Sequence, residues 1–117
     1  MITARLSSAA LALSGLAAVV APDRVATALA LPASTGRARA ETRAGLGGTF
    51  AALGLWALLS PDPRAARAVG ITWLGAAGAR LAALVLDEPE TDAAFWAYLA
   101  AEVGFGVTAI GGSMRPR

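Results

Sequence analysis

The stretches "FAALGLWALLS" (residues 50–60) and "LAALVL" (residues 81–86) have no polar face. An amphipathic helix of a soluble bundle would set polar residues along one side at a spacing of 3.6, so these runs argue for a hydrocarbon surround. Composition agrees. The chain has 117 residues, 56% of them hydrophobic and only 15% charged, against about 25% charged in an average soluble domain. Its mean hydropathy of +0.59 leaves too little polar surface to coat a water-soluble globule.

Hydropathy divides the chain into four apolar segments, near residues 3–21, 41–60, 66–87 and 93–112. Each approaches the ~20 residues that a helix needs to cross a hydrocarbon core of ~30 Å. The expected fold is therefore all-α: one transmembrane domain over residues 1–117, an integral membrane four-helix bundle. Asp62 with Pro63, and Pro89 followed by Thr91 or Asp92, supply stop and cap signals between the later spans. Two short loops result, between spans two and three and between three and four, so these spans should run as antiparallel neighbours. The first connection is longer, with either a short interfacial helix at Val25 to Leu31 or a plain loop there, and a mobile "PASTGRAR" linker after it. The start of the chain also fits a signal peptide, with Arg5 as its basic region. Because Met1 is retained, it is read as an uncleaved first span.

The ten arginines and eight acids give a formal charge of +2. The arginines form no basic stripe beside stacking aromatics, so nucleic acid is not an expected partner. Arg5, Arg64, Arg67, Arg115 and Arg117 fall on one face, and Arg24, Arg37, Arg39 and Arg43 on the other. The first set lies close to helix ends, which places both termini in the cytoplasm by the positive-inside rule. Trp56 and Trp73 then belong to the inner aromatic belt, and Trp96 with Tyr98 to the outer one. The absence of Cys, His, Lys, Asn and Gln removes thiol nucleophiles, imidazole ligands and Schiff-base lysines. No metal site and no cofactor are expected.

Arg80 stands in the otherwise apolar "GAAGARLAALVLD". An arginine at the centre of a span costs about 2.5–3.5 kcal/mol on insertion scales, so it needs a partner or a polar cavity. Counted from the acidic turn at Asp87 to Asp92, Arg80 lies about 10 Å and Glu102 about 15 Å inside the same face. They are expected to pair. Glu41 and Arg43 open the second span on that face, and Tyr98 stands one turn above Glu102, so these five residues are the expected ligand-binding site or ion network. Glu41, Gly45, Gly48 and Ala52 share a helix face at a spacing of 3.6. Gly45, Gly48, Gly75, Gly78, Gly104 and Gly106 are the expected helix-packing positions.

The segments "ETRAGLGGTFAALGLWAL" and "GAAGARLAALVLDEPE", with the glutamate of "AAEVGFG", resemble the DUF4345 family of small four-span bacterial membrane proteins. The resemblance covers about residues 41–112; the first span agrees in hydropathy and position only. It implies the same fold in a bacterial inner membrane, and it marks Glu41, Gly47, Gly48, Gly75 or Gly78, Arg80, Asp87, Pro89 and Glu102. Where such proteins often carry Tyr-Gly-Gly, this chain has Leu46-Gly47-Gly48. The family supplies no activity.

The function expected from these residues is non-catalytic. An Arg/Glu polar pocket would bind a small molecule, a lipid headgroup or a partner helix, with the bilayer and a homodimer or membrane-protein partner around it. A proton-coupled carrier working through Glu102 is the first alternative. A membrane enzyme using Glu102 as acid or base is the second.

Overall fold

The structure, a computed structural model, describes residues 2–31 and 34–114. Arg115 and Arg117, counted above for orientation, lie outside them. Among the described residues all regular structure is helical: α1 (Ile2–Val20), α2 (Pro22–Ala28), α3 (Gly36–Glu41), a π-helical segment (Thr42–Gly48), α4 (Thr49–Leu59), α5 (Pro63–Leu86) and α6 (Ala93–Ser113). Two of these, α5 and α6, are long and apolar enough to cross a membrane. A third candidate is α1 with α2, which are bent by 117° at their junction. Pro22 occupies the first turn of α2 and Asp23 follows it, both favoured at a helix start. The short helix therefore begins at Pro22, three residues ahead of the expected Val25.

The contacts within the chain form two compact units, Met1–Ser7 with Asp62–Arg117, and Ser8–Pro61.

In the unit Ser8–Pro61, part of the expected linker is helical. The Thr35 hydroxyl caps α3 by accepting from the Ala38 amide at 3.0 Å. Helical backbone angles then continue through the π segment into α4. Three glycines, Gly45, Gly47 and Gly48, fall within the π segment, where a wide turn meets no Cβ crowding. Gly47 lies against Val19 and the Gly15 carbonyl, and Gly15 lies against Ala51 and the Gly47 carbonyl. Gly54 likewise meets Ala12 and the Ser8 carbonyl. Small residues thus bring two backbones together, as between membrane helices.

This corrects the face expected for the second span. A π turn takes more residues than 3.6, so counting at 3.6 from Glu41 across it selects the wrong side. Gly45 has no atom within 4 Å of a Cβ position, and Gly48 meets only the Arg43 carbonyl at 3.8 Å. The buried series is Gly47, Ala51 and Gly54.

In the other unit, α5 and α6 run antiparallel. Asp62 caps α5 through the Arg64 amide at 2.9 Å, and Asp92 caps α6 through the Phe95 amide at 2.9 Å. Gly70 meets Ile110 and the Gly106 carbonyl, while Gly106 receives the Leu74 side chain. Of the glycines expected to pack on these helices, Gly106 does so. Gly75, Gly78 and Gly104 have open space at the Cβ position, because the contact face of α5 follows Gly70, Ala77 and Arg80.

The start of α1 joins this unit through hydroxyls. Ser7 Oγ donates to the Phe105 carbonyl at 2.8 Å and lies 2.9 Å from Thr108 Oγ1. Trp73 Nε1 donates to the Ser7 carbonyl at 3.3 Å, and its ring sits 5.3 Å from that of Phe105. Trp73 lies ten residues into α5, about 15 Å from its first residue. It is a packing residue inside the unit.

Candidate functional site

The antiparallel register of α5 and α6 carries Arg80 to Glu102. Arg80 Nε donates to Glu102 Oε1 at 2.6 Å, and Nη2 donates to Oε2 at 3.4 Å. One edge of the guanidinium thus faces the carboxylate in a fork, the geometry that gives arginine–carboxylate pairs directional strength. The Glu102 side chain is 8% exposed and the Arg80 side chain 22%. Counting along the helices, Arg80 is about 9 Å from the end of α5 and Glu102 about 13 Å from the start of α6.

Two aromatic rings complete the setting. The guanidinium carbon is 5.1 Å from the ring centroid of Phe95 and 5.5 Å from that of Tyr98. Both distances are within the range of cation–π attraction, worth about 0.5–2 kcal/mol depending on desolvation. Phe95, Tyr98 and Glu102 follow one another at three and four residues along α6, so one helix face supplies both rings and the counter-charge. Tyr98 was expected to contribute its hydroxyl above Glu102; toward Arg80 it presents its ring. Trp96 packs edge-on to Phe95, with centroids 5.4 Å apart.

The remaining expected site residues lie in the unit Ser8–Pro61 and have partners within it. Glu41 accepts from Arg37 Nε at 2.8 Å, one helical turn away on an exposed surface. Arg43 Nη1 donates to the Val19 carbonyl. Val19 is next to last in α1, so the arginine satisfies a carbonyl at the negative end of that helix. The structure thus brings together Arg80, Glu102 and Tyr98, and gives Glu41 and Arg43 local structural work.

A second feature went unread in the sequence. Leu6, Ala101, Gly104, Phe105 and Thr108 line a groove of about 340 Å³ whose walls are almost wholly apolar. Gly104, read earlier as a packing glycine, forms part of this groove. The signal available was small: a Ser in "RLSSAA" and a Thr in "GVTAI", whose pairing spans a separation of 101 residues.

Among the described residues no cluster of three or more His, Cys, Asp or Glu side chains is placed to hold a metal ion. The acidic turn instead caps helices: Asp87 closes α5 and Asp92 opens α6. Between them Glu88 adopts a left-handed φ of 45°, a conformation that costs a non-glycine residue about 1 kcal/mol.

A family model described as a domain of unknown function, DUF4345, matches residues 2–112. The chain belongs to the DUF4345 family. The match extends beyond the quoted motifs to include α1, α2 and the connection after them. No curated protein and no solved structure matches it. In this DUF4345 protein the residues singled out by motif therefore separate by role: Arg80 pairs with the buried Glu102, Gly47 is a helix contact, and Asp87 closes a helix.

Proposed function

We propose that this DUF4345 protein is a non-catalytic, multi-pass protein of the bacterial inner membrane that binds a ligand carrying an anionic group at Arg80. Its four crossings are α1, residues 36–59, α5 and α6. Helical backbone through the π segment supports the second crossing, since its 24 residues exceed the ~20 that a crossing needs. Arg64 and Arg67 stand at the start of α5, and Asp87, Glu88, Glu90 and Asp92 lie beyond its far end. By the positive-inside rule the basic end, with both termini, faces the cytoplasm.

The observation that carries the binding reading is the incomplete use of the Arg80 guanidinium. Of its five N–H groups, two go to Glu102, which leaves three. The side chain is also more open than its partner, at 22% against 8%. Glu102 fixes one edge of the fork and the rings fix its orientation, so the remaining donors are held ready for a carboxylate or phosphate oxygen.

The test is calorimetric titration of the purified protein in maltoside micelles with octyl phosphate. Saturable binding is expected, weakened at least about tenfold in Arg80→Gln, the loss of roughly one charged hydrogen bond. Equal binding by wild type and a folded Arg80→Gln variant would overturn the reading. Phe95 and Tyr98 also favour a second reading, in which the pair is only a clasp that sets the register of α5 and α6. The clasp predicts no saturable binding in any variant.

A further inference from the structure

The charge around Arg80 bears on what its ligand can be. Arg80 and Glu102 compensate one another, so the pair contributes little net field. The turn beyond the end of α5 carries four carboxylates, Asp87, Glu88, Glu90 and Asp92, and no base. Phe95 and Trp96 lie between that turn and the pair: they are three and four residues after Asp92, at the start of α6. Trp96 is half exposed, and its contact with Phe95 is edge-on. An anion approaching Arg80 from this end would meet four negative charges, which repel it. A simple cation would be attracted by the turn, yet would find the Arg80 guanidinium already seated on the Glu102 carboxylate, beside the rings of Phe95 and Tyr98.

We propose that the ligand is zwitterionic, of the phosphoethanolamine class, with its phosphate on the free N–H groups of Arg80 and its ammonium directed to the acidic turn. This rests on the binding reading above and names the ligand's chemistry. Each charge of such a molecule then faces the opposite sign: the anionic part lies inward at the arginine and the cationic part outward among carboxylates. The exposed indole of Trp96 offers the ammonium an aromatic face. The depths agree. Arg80 lies about 9 Å inside a helix of about 36 Å, which exceeds a hydrocarbon core of ~30 Å by several ångströms. With the excess shared between the two ends, Arg80 lies about 6 Å inside the hydrocarbon boundary, a distance its flexible side chain can span toward the headgroups. The same chemistry is presented by the headgroup of a phosphatidylethanolamine and by free phosphoethanolamine.

Three probes decide the matter by calorimetry in maltoside micelles: dihexanoyl phosphatidylethanolamine, dihexanoyl phosphatidylglycerol, and O-phosphoethanolamine without acyl chains. The ethanolamine lipid is expected to bind about tenfold more tightly than the glycerol lipid, the worth of one favourable charge contact. A Glu88→Gln/Glu90→Gln variant, which leaves both helix caps intact, should bring the two lipids to equal affinity while retaining binding. Comparable affinity for O-phosphoethanolamine would identify a soluble ligand, and binding of the lipid alone would identify a membrane one; either outcome supports the zwitterion. Glycerol-lipid binding as tight as or tighter than that of the ethanolamine lipid would overturn it, and would leave anion binding at Arg80 standing. Absence of saturable binding by every probe to folded wild type would overturn both.

Discussion

Deleting Glu102 strands a guanidinium, and deleting Arg80 strands a carboxylate, among apolar helices. Replacing both removes the problem. Arg80→Leu and Glu102→Leu are each expected to lower stability by about 2–3 kcal/mol, below the 3–5 typical of fully buried pairs because Arg80 keeps some solvent exposure. The double variant should recover most of that loss and still fail to bind octyl phosphate. Unfolding in mixed micelles followed by circular dichroism reads the cycle, and a double variant as unstable as the sum of the singles would refute this account. The pairing itself could be read in the sequence, because a short turn between two antiparallel helices fixes which depths face one another. The two rings around Arg80 were less visible. Phe95 and Tyr98 share a face with Glu102 in the sequence, but the guanidinium's approach to both rings depends on how close the helices come.

Glycines divide the helices into touching and open faces, and their substitution separates the two. In α1 and α4, a Cβ at Gly15 or Gly54 would lie 2.2 Å from the Ala51 amide nitrogen or 2.4 Å from that of Ala12. Backbone cannot swing aside as a side chain can. Gly15→Ala and Gly54→Ala are each expected to destabilise by about 1–3 kcal/mol, the usual range for overpacking. Gly75→Ala and Gly78→Ala meet no neighbour and should be neutral, or stabilise by up to about 1 kcal/mol through helix propensity. Thermal unfolding of the four variants in one detergent compares them, and a loss at Gly78 as large as that at Gly54 would contradict these contacts. Gly106 is the intermediate case, since its neighbour is the tip of Leu74. Regular helices α5 and α6 could be traced from caps and hydropathy almost to the residue. The second span could not, because the π segment shifts its faces, and no periodic count at 3.6 registers a turn of a different size.

At the scale of the whole chain, the testable matter is which side of the membrane each loop occupies. The chain lacks cysteine, so single-cysteine variants can be labelled without background. With the proposed orientation, Glu90→Cys reacts with an impermeant maleimide in intact cells, and Pro61→Cys reacts only after lysis. Labelling of both from the same side would exclude α5 as a crossing. Sequence alone determined the helical class, the apolar surround, the cap at Asp62 and the partner of Arg80. These follow from local chemistry or from arithmetic along regular helices joined by short turns. Tertiary structure decided which glycines touch, what Arg43 and Trp73 do, and that Ser7 meets Thr108. Those contacts depend on close approach of backbones distant in sequence, and on a non-α turn, neither of which leaves a periodic trace in the order of residues.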